Sequence, residues 1–437
     1  MKNPVLLCIF LLMIFTISFA QENYVPFNPY PHNNSVIIPM DEQVRLSWRC
    51  LNPYQKTVTY KVKLLINGIK EITFEDLRTN SIKIDVKSGD ELKWSVIANV
   101  YEESYYGPSW TFRIPEELMR TYGVTNNGSF ADVSYSGNSF NVIVNQIIQG
   151  QYNPKVISIE NSGNFLKEKN LHWNNFYAHL IVDNKLIGHT FDENGYKLGI
   201  YNLTNDTTSF ISDEYFSSIH EIKEIEDGFI VTGINNQKSK VLLLDKRLEP
   251  VDKYSSEIIG YSSDHMKDYL LVAGKKRVKD IYVPAIAFKK NEEQWVDIAL
   301  EISGVFTDCK ITNDGLYVMG QIPSSYEGRQ DLIIRKYDLS GNLLWSNSID
   351  NYGDDIPGEL TIEDDCLKVL GTYYTNESYS SYIVNYTADG KTAGVNFFES
   401  EFNEFPARLI STKAGNFIFG NIENDYGRRI FMRFIGN

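Results

Sequence analysis

The stretches CKITNDGLYVMG (residues 309–320) and DLIIRKYDLSGNLLWS (residues 331–346) decide how this chain is read. In the first, two apolar-rich runs flank Asn313-Asp314-Gly315, and in the second, two more flank Leu339-Ser340-Gly341-Asn342. Asn, Asp and Gly tolerate the positive φ that tight turns demand, so each stretch predicts a β-hairpin. Two successive hairpins predict one sheet of four antiparallel strands.

The glycine that closes the first stretch recurs. Leu186-Ile187-Gly188, Val231-Thr232-Gly233, Val272-Ala273-Gly274, Val318-Met319-Gly320, Val369-Leu370-Gly371 and Ile418-Phe419-Gly420 are versions of one strand ending, spaced by 45, 41, 46, 51 and 49 residues. Four strands at that period are the signature of β-propeller blades. An earlier copy is FNVIVN (140–145), with NSGNFL (161–166) matching LSGNLL (339–344), and Asn145 precedes Gly188 by 43 residues. The count is therefore seven units, and a seven-bladed propeller over residues 131–437 is expected. The last unit ends on a third strand near Ile430 to Ile435, so Thr121 to Phe130, in a linker over 116–130, is expected to add the fourth and close the ring. Closure of that kind removes exposed sheet edges.

The start of the chain reads differently. Lys2, an apolar run from Val5 to Phe15 and Ser18-Phe19-Ala20 before Gln21 predict a secretory signal peptide over residues 1–20. The run is shorter than the roughly 20 residues a bilayer span needs, and no later stretch reaches membrane length. An exported chain, secreted, periplasmic or at the cell surface, with no membrane span after cleavage is expected. Residues 21–115 alternate with period two, at Val44-Arg45-Leu46-Ser47-Trp48, at Thr57 to Leu64 and at Leu92 to Ala98, which predicts a small antiparallel β-sandwich.

That module resembles the bacterial form of the fibronectin type III domain. The resemblance rests on a proline-rich entry (Pro26, Pro29, Pro31), Leu46-Ser47-Trp48, Val58-Thr59-Tyr60-Lys61-Val62, Trp94-Ser95-Val96-Ile97-Ala98 and the exit Gly107-Pro108-Ser109-Trp110-Thr111-Phe112. It implies that Trp48, Tyr60 and Trp94 are core residues and that the module is a spacer or weak binding unit. The pattern Asp-x-x-Ile-x-Lys-x-Asp-x-x-Gly-Asn-x-x-Trp, from Asp331 to Trp345, is similar to repeats of uncharacterised secreted bacterial propellers, and that resemblance implies no particular chemistry.

Charge narrows the partners. The formal net charge is −14, and residues 116–437 hold 45 acids against 30 bases while residues 21–115 balance. Such a surface repels phosphate backbones, so nucleic acid is not an expected partner. Cys50, Cys309 and Cys366 allow at most one disulfide; a Cys309–Cys366 pair and three unpaired thiols are both open. None of the six histidines has metal-ligand spacing, and no serine elbow, phosphate loop or dinucleotide fingerprint occurs. Acidic turns such as Asp192-Glu193-Asn194-Gly195 lack the further oxygens of a calcium loop and read as hairpin turns. No metal and no cofactor is expected, although Asp354-Asp355 and Asp364-Asp365 are the better cation candidates. The sequons at Asn33, Asn127, Asn202, Asn205, Asn376 and Asn385 read as chance matches in an Asn-rich chain.

The two widest glycine intervals mark longer insertions, read as loops from Pro323 to Gln330 and from Tyr374 to Ser381. With the neighbouring connections they gather Tyr326, Arg329, Tyr352, Asp354, Asp355, Tyr374, Tyr379, Glu401 and Phe402 as candidate ligand-binding residues, since tyrosines beside carboxylates suit a sugar or a peptide. The expected function is a monomeric, non-enzymatic binding or scaffold protein for a carbohydrate or protein at the cell surface. The alternative is a glycoside hydrolase or lyase with paired carboxylates in the propeller funnel.

Overall fold

The computed structural model describes residues 24–435 apart from 38–42, 53, 88, 115–118, 124–127, 162, 172, 174, 292, 325–327, 352, 364–365, 376–377, 401, 413–414 and 425–426. The segment read as a signal peptide, Tyr326, Tyr352, Asp364-Asp365 and Glu401 lie outside the described residues. Among the described residues every regular element is a β-strand, and no helix is long and apolar enough to cross a membrane.

The chain divides into two compact units, Met1–Leu118 with Asn396–Ser400, and Met119–Val395 with Glu401–Asn437. In the first, the strands Phe27–Tyr30, Gln43–Arg49 and Ser81–Asp85 form one sheet. Lys70–Leu77, Val58–Ile66, Glu91–Val100, Glu103–Arg113 and Ser35–Ile37 lie side by side in another. Alternation sends Val44, Leu46 and Trp48 inward from one sheet and Val62, Leu64, Trp94 and Val96 inward from the other, into a single apolar core. Trp94 packs on Trp110 at 4.8 Å and Trp48 on Tyr60 at 5.2 Å, so these rings are core residues as expected.

The second unit is a β-propeller. Its sheets are antiparallel meanders of four strands that follow one another along the chain, with inner strands Ser129–Ser136, Tyr177–Val182, Ser218–Ile225, Ile259–Met266, Val305–Thr312, Asp355–Glu363 and Asn403–Thr412. Apolar clusters fill the space between consecutive sheets. Leu180, Ile187 and Leu198 meet Phe229, Val231 and Leu242, and Phe140 and Val142 meet Phe417 and Phe419, which brings the first sheet against the last. Phe130 N donates to Asn421 Oδ1 at 2.8 Å across the same junction.

The last sheet takes its fourth strand from Arg120–Tyr122, with Tyr122 opposite Ile430 and Arg120 opposite Met432. The expected donor segment, Thr121 to Phe130, thus contributes its first residues, whereas Phe130 belongs to the inner strand of the first sheet. In the turns at Asn161 to Asn164 and at Ser340 to Asn342, Gly163 and Gly341 hold φ values of 81° and 89°, the conformation those turn sequences require.

One irregularity recurs in every sheet. The inner strand carries a bulge after Phe130, Ala178, Ile219, Gly260, Phe306, Pro357 and Pro406, the residues that pair with Val144, Gly188, Gly233, Gly274, Gly320, Gly371 and Gly420. The register assigns Val144, not its neighbour Asn145, to the glycine position of the first sheet. The bulge presses the inner strand onto its partner. A Cβ on Gly274 would lie 1.9 Å from Ile259 O, and one on Gly320 would lie 2.0 Å from Val305 O. The recurring glycine is therefore the partner of a conserved-geometry bulge, and bulges redirect side chains.

Candidate functional site

Two tiers of side chains follow from those bulges. The bulged residues themselves are Ala131, His179, His220, Tyr261, Thr307, Gly358 and Ala407, and the residues after them are Asp132, Leu180, Glu221, Ser262, Asp308, Glu359 and Arg408. Because each comes from an inner strand, both tiers except Tyr261 and Ser262 converge on one cavity of about 630 Å³, lined by Asp132, Glu221, Asp308, Glu359 and Arg408 among others.

The second tier is a charged ring that joins neighbouring sheets. Asp132 Oδ2 accepts from Ile181 N at 3.2 Å, Glu221 Oε2 from Ser263 N at 3.1 Å, Asp308 Oδ2 from Leu360 N at 2.9 Å and Glu359 Oε2 from Leu409 N at 2.7 Å. In each case a carboxylate on one inner strand satisfies the backbone of the next. Two cations stand among these four carboxylates: Arg408 Nη1 donates to Glu359 Oε1 at 2.7 Å and its Nε stands 3.2 Å from Asp132 Oδ1, while Lys223 Nζ stands 3.5 Å from Glu221 Oε2 and donates to Ser262 Oγ and Cys309 O, each at 3.2 Å. Burial pushes the carboxyls of Asp132, Glu221 and Glu359 upward, opposed by Arg408 or Lys223. Glu359 above all raises Arg408.

Part of the first tier also builds an adjoining recess, which shares His179, His220 and Thr307 with that cavity. His179, His220, Tyr261 and Thr307, with Tyr152, Tyr177, His189, Tyr196 and Ser218, line a cavity of about 530 Å³. The rings interlock: Tyr177 stacks on His189 at 5.4 Å, Tyr196 meets His189 edge-on at 4.9 Å, and Tyr261 stacks on His220 at 4.8 Å. His179 Nε2 and His189 Nδ1 share a 2.9 Å hydrogen bond. Desolvation by burial lowers all three histidines, His189 to about 4, so the recess is neutral at physiological pH. A neutral, aromatic, hydrogen-bonding wall can stack on one face of a ligand and pair with its hydroxyls.

Of the nine residues singled out from the glycine intervals, the six described ones, Arg329, Asp354, Asp355, Tyr374, Tyr379 and Phe402, do not line this recess. Asp354, Tyr374 and Tyr379 are brought together: Asp354 Oδ1 accepts from Gln330 N at 3.0 Å, Tyr374 N donates to Asp354 O at 3.0 Å, and the Tyr374 and Tyr379 rings are 5.0 Å apart. Arg329 precedes Gln330 in the chain and its carbonyl accepts from Ser324 N at 2.9 Å, and Phe402 is half-buried just before the strand Asn403–Thr412. The supposed Tyr374 to Ser381 loop is corrected. Tyr374 belongs to the strand Cys366–Thr375 and Tyr379 to Ser378–Tyr386, directly opposite each other. The extra residues that widen the glycine interval lengthen a hairpin instead of bulging out as coil. The cysteines are free, which settles the pairing left open by their spacing.

Asp355 is wholly buried, its carboxylate accepting from Asn351 N and Nδ2 at 3.1 and 2.6 Å. Burial pushes it up to about 7. Between the ordinary carboxyl value and about 7 the folded chain holds a proton that the unfolded chain has lost, so this group's stabilisation is present in mild acid and is lost as pH rises through 7. Asp355→Asn should therefore gain on the wild type by a few kcal/mol between pH 5 and pH 8 in urea unfolding. Parallel pH dependence of the two proteins would contradict this.

The histidines escaped sequence reasoning because they lie on different strands, with no ligand spacing to betray them. A signal existed nonetheless. His220, Tyr261 and Thr307 each stand 13 residues before the recurring glycine, and Glu221, Ser262, Asp308, Glu359 and Arg408 each stand 12 before it.

No family model matches the sequence, and no curated protein matches it. Solved structures similar to this chain include the β-propeller domain of the Trilobed protease from Pyrococcus furiosus, at 12% identity over 71% of this chain and 94% of that one, with a TM-score of 0.49. The polysaccharide lyase Uly1 is 8% identical over 72% of this chain and 91% of that one, with a TM-score of 0.47. Pyrococcus horikoshii acylaminoacyl peptidase is 11% identical over 69% of this chain and 52% of that one, with a TM-score of 0.43.

Proposed function

We propose that this chain is an exported, monomeric binding protein in which a signal peptide (1–20) precedes a fibronectin type III-like sandwich (21–115), a linker (116–130) and a seven-bladed propeller (131–437), and that the propeller takes a carbohydrate in the histidine- and tyrosine-lined recess. The observation that carries the reading is the recess itself. Seven rings from four consecutive sheets, Tyr152, Tyr177, His179, His189, Tyr196, His220 and Tyr261, surround one cavity, and its histidines are held neutral. Sugars bind through such ring faces together with directional hydrogen bonds. Hydrolysis of a glycosidic bond needs two carboxyl groups free for proton transfer and attack. Asp132, Glu221, Asp308 and Glu359 each hold a neighbouring strand's N–H, which supports binding over that chemistry.

A second surface has its own support. The Asp354, Tyr374 and Tyr379 group, with Arg329 and Phe402 on adjoining segments, is the rim proposed from the glycine intervals, and Tyr374 is 40% exposed. A glycan array read with the mature chain separates the two. Tyr177→Ala with Tyr196→Ala should weaken capture at least ~10-fold, about 1.4 kcal/mol, while Tyr374→Ala with Tyr379→Ala leaves it unchanged. The reverse pattern would transfer the function to the rim, and capture that survives both pairs would remove it from the propeller.

A further inference from the structure

His220 is the bulged residue of the strand Ser218–Ile225, and the bulge between Ile219 and Glu221 aims its ring into the recess. Ser218 Oγ lies 3.1 Å from His220 Nε2, and His220 Nδ1 lies 2.7 Å from Gly260 O on the next sheet's inner strand. A carbonyl oxygen only accepts. The neutral ring must therefore carry its proton on Nδ1, and Nε2 is left with a lone pair facing the serine hydroxyl. Tyr261 stacks on the imidazole with only 13° between the planes and limits its rotation. The parts are a hydroxyl nucleophile, a base within hydrogen-bond reach and a third group that fixes the base's tautomer. A backbone carbonyl fills the place usually taken by a carboxylate.

We propose that Ser218 and His220 form a catalytic dyad that hydrolyses an acyl ester bound in the recess. Ser218 Oγ attacks the ester carbonyl carbon as its proton passes to His220 Nε2. The tetrahedral adduct collapses with cleavage of the acyl–oxygen bond, and His220 returns the proton to the departing alkoxide. A water molecule then gives a proton to His220 and attacks the acyl-serine; collapse releases the carboxylic acid and restores the proton to Ser218 Oγ. That the alcohol portion is a sugar rests on the reading of the recess given above, whereas the dyad does not depend on it. The recess walls leave space for a short acyl group such as acetyl. His220 acts in its neutral form, and burial lowers its proton affinity, so hydrolysis should rise with pH through an inflection below the ordinary histidine value of 6.5.

The test uses the mature chain and two probes. A fluorophosphonate should form a covalent adduct found on Ser218 after digestion, and p-nitrophenyl acetate should be hydrolysed at a rate that falls ~10²-fold or more in Ser218→Ala and in His220→Ala. Ser346→Ala, at an exposed serine outside the recess, should leave the rate unchanged. Absence of a Ser218 adduct on the folded wild type, or hydrolysis that survives Ser218→Ala, would overturn the proposal. Neither readout involves a glycan, so failed glycan capture with a labelled Ser218 sinks only the sugar assignment, and glycan capture without labelling sinks only the dyad.

Discussion

Replacing Gly274 with alanine is expected to destabilise the propeller by about 3 kcal/mol or more, visible as a fall in Tm of about 5 °C. The added methyl would meet backbone on the bulged inner strand, with Ile259 O at 1.9 Å, Ile259 C at 2.8 Å and Gly260 Cα at 2.9 Å. Backbone atoms cannot turn aside as a side-chain tip does, so either the bulge flattens or the hairpin parts. Flattening would swing Tyr261, the bulged residue, out of the recess. The same substitution at Gly123, where a Cβ meets nothing within 4 Å, should change stability by no more than ~0.5 kcal/mol. Equal effects at the two positions would show that the recurring glycine does not mark a steric constraint.

Arg433→Met should have an effect of similar or greater size, about 3–5 kcal/mol. Arg433 is 2% exposed and Glu404 is wholly buried; Arg433 Nη2 donates to Glu404 Oε1 at 2.6 Å while Ser381 Oγ donates to Glu404 Oε2 at 2.9 Å. The pair lies within the sheet that Arg120–Tyr122 completes, and Ser381 ties it to the preceding sheet. Removing only the cation leaves a wholly buried carboxylate without its counter-charge. Pairing Arg433→Met with Glu404→Leu removes both charges and should recover most of the loss, because desolvation opposes the gain from any buried ion pair. A double variant as unstable as the single one would assign the loss to packing instead of charge. Denaturant unfolding of the three variants distinguishes these outcomes.

Much of the propeller was legible because its signal is repetition. Turn residues and strand endings are local, and each copy reinforced the reading of the others. The repeated text also announced that the last sheet lacked a strand, and the chain supplies it from Arg120–Tyr122. Strand length was less legible: the wide interval around Gly371 was read as a loop, whereas Tyr374 and Tyr379 face each other in an extended hairpin. Nothing in the residue types there distinguishes two more rungs of ladder from coil.

The recess was illegible for a different reason. His179 and His220 lie on different inner strands and are turned inward by separate bulges, while His189 joins them through hairpin pairing opposite Tyr177. Each of those bulges is encoded indirectly, through the glycine it forces on the partner strand. The glycine was read as a period marker, yet its steric cause lies on the inner strand a hairpin earlier. Counting back 13 residues from Gly233, Gly274 and Gly320 gives His220, Tyr261 and Thr307 directly. Counting back 12 gives members of the charged ring. His179 breaks that count because its hairpin is shorter, standing nine residues before Gly188.

The central claim is that the bulged residues of consecutive inner strands make the propeller's ligand site. Amide hydrogen exchange of the mature chain, with and without a glycan that the array captures, tests it most directly. The account predicts that added protection is confined to peptides spanning the bulges at His179, His220 and Tyr261 together with the strand of Tyr196. Protection appearing instead around Tyr374 and Tyr379, or within residues 43–113, would contradict it.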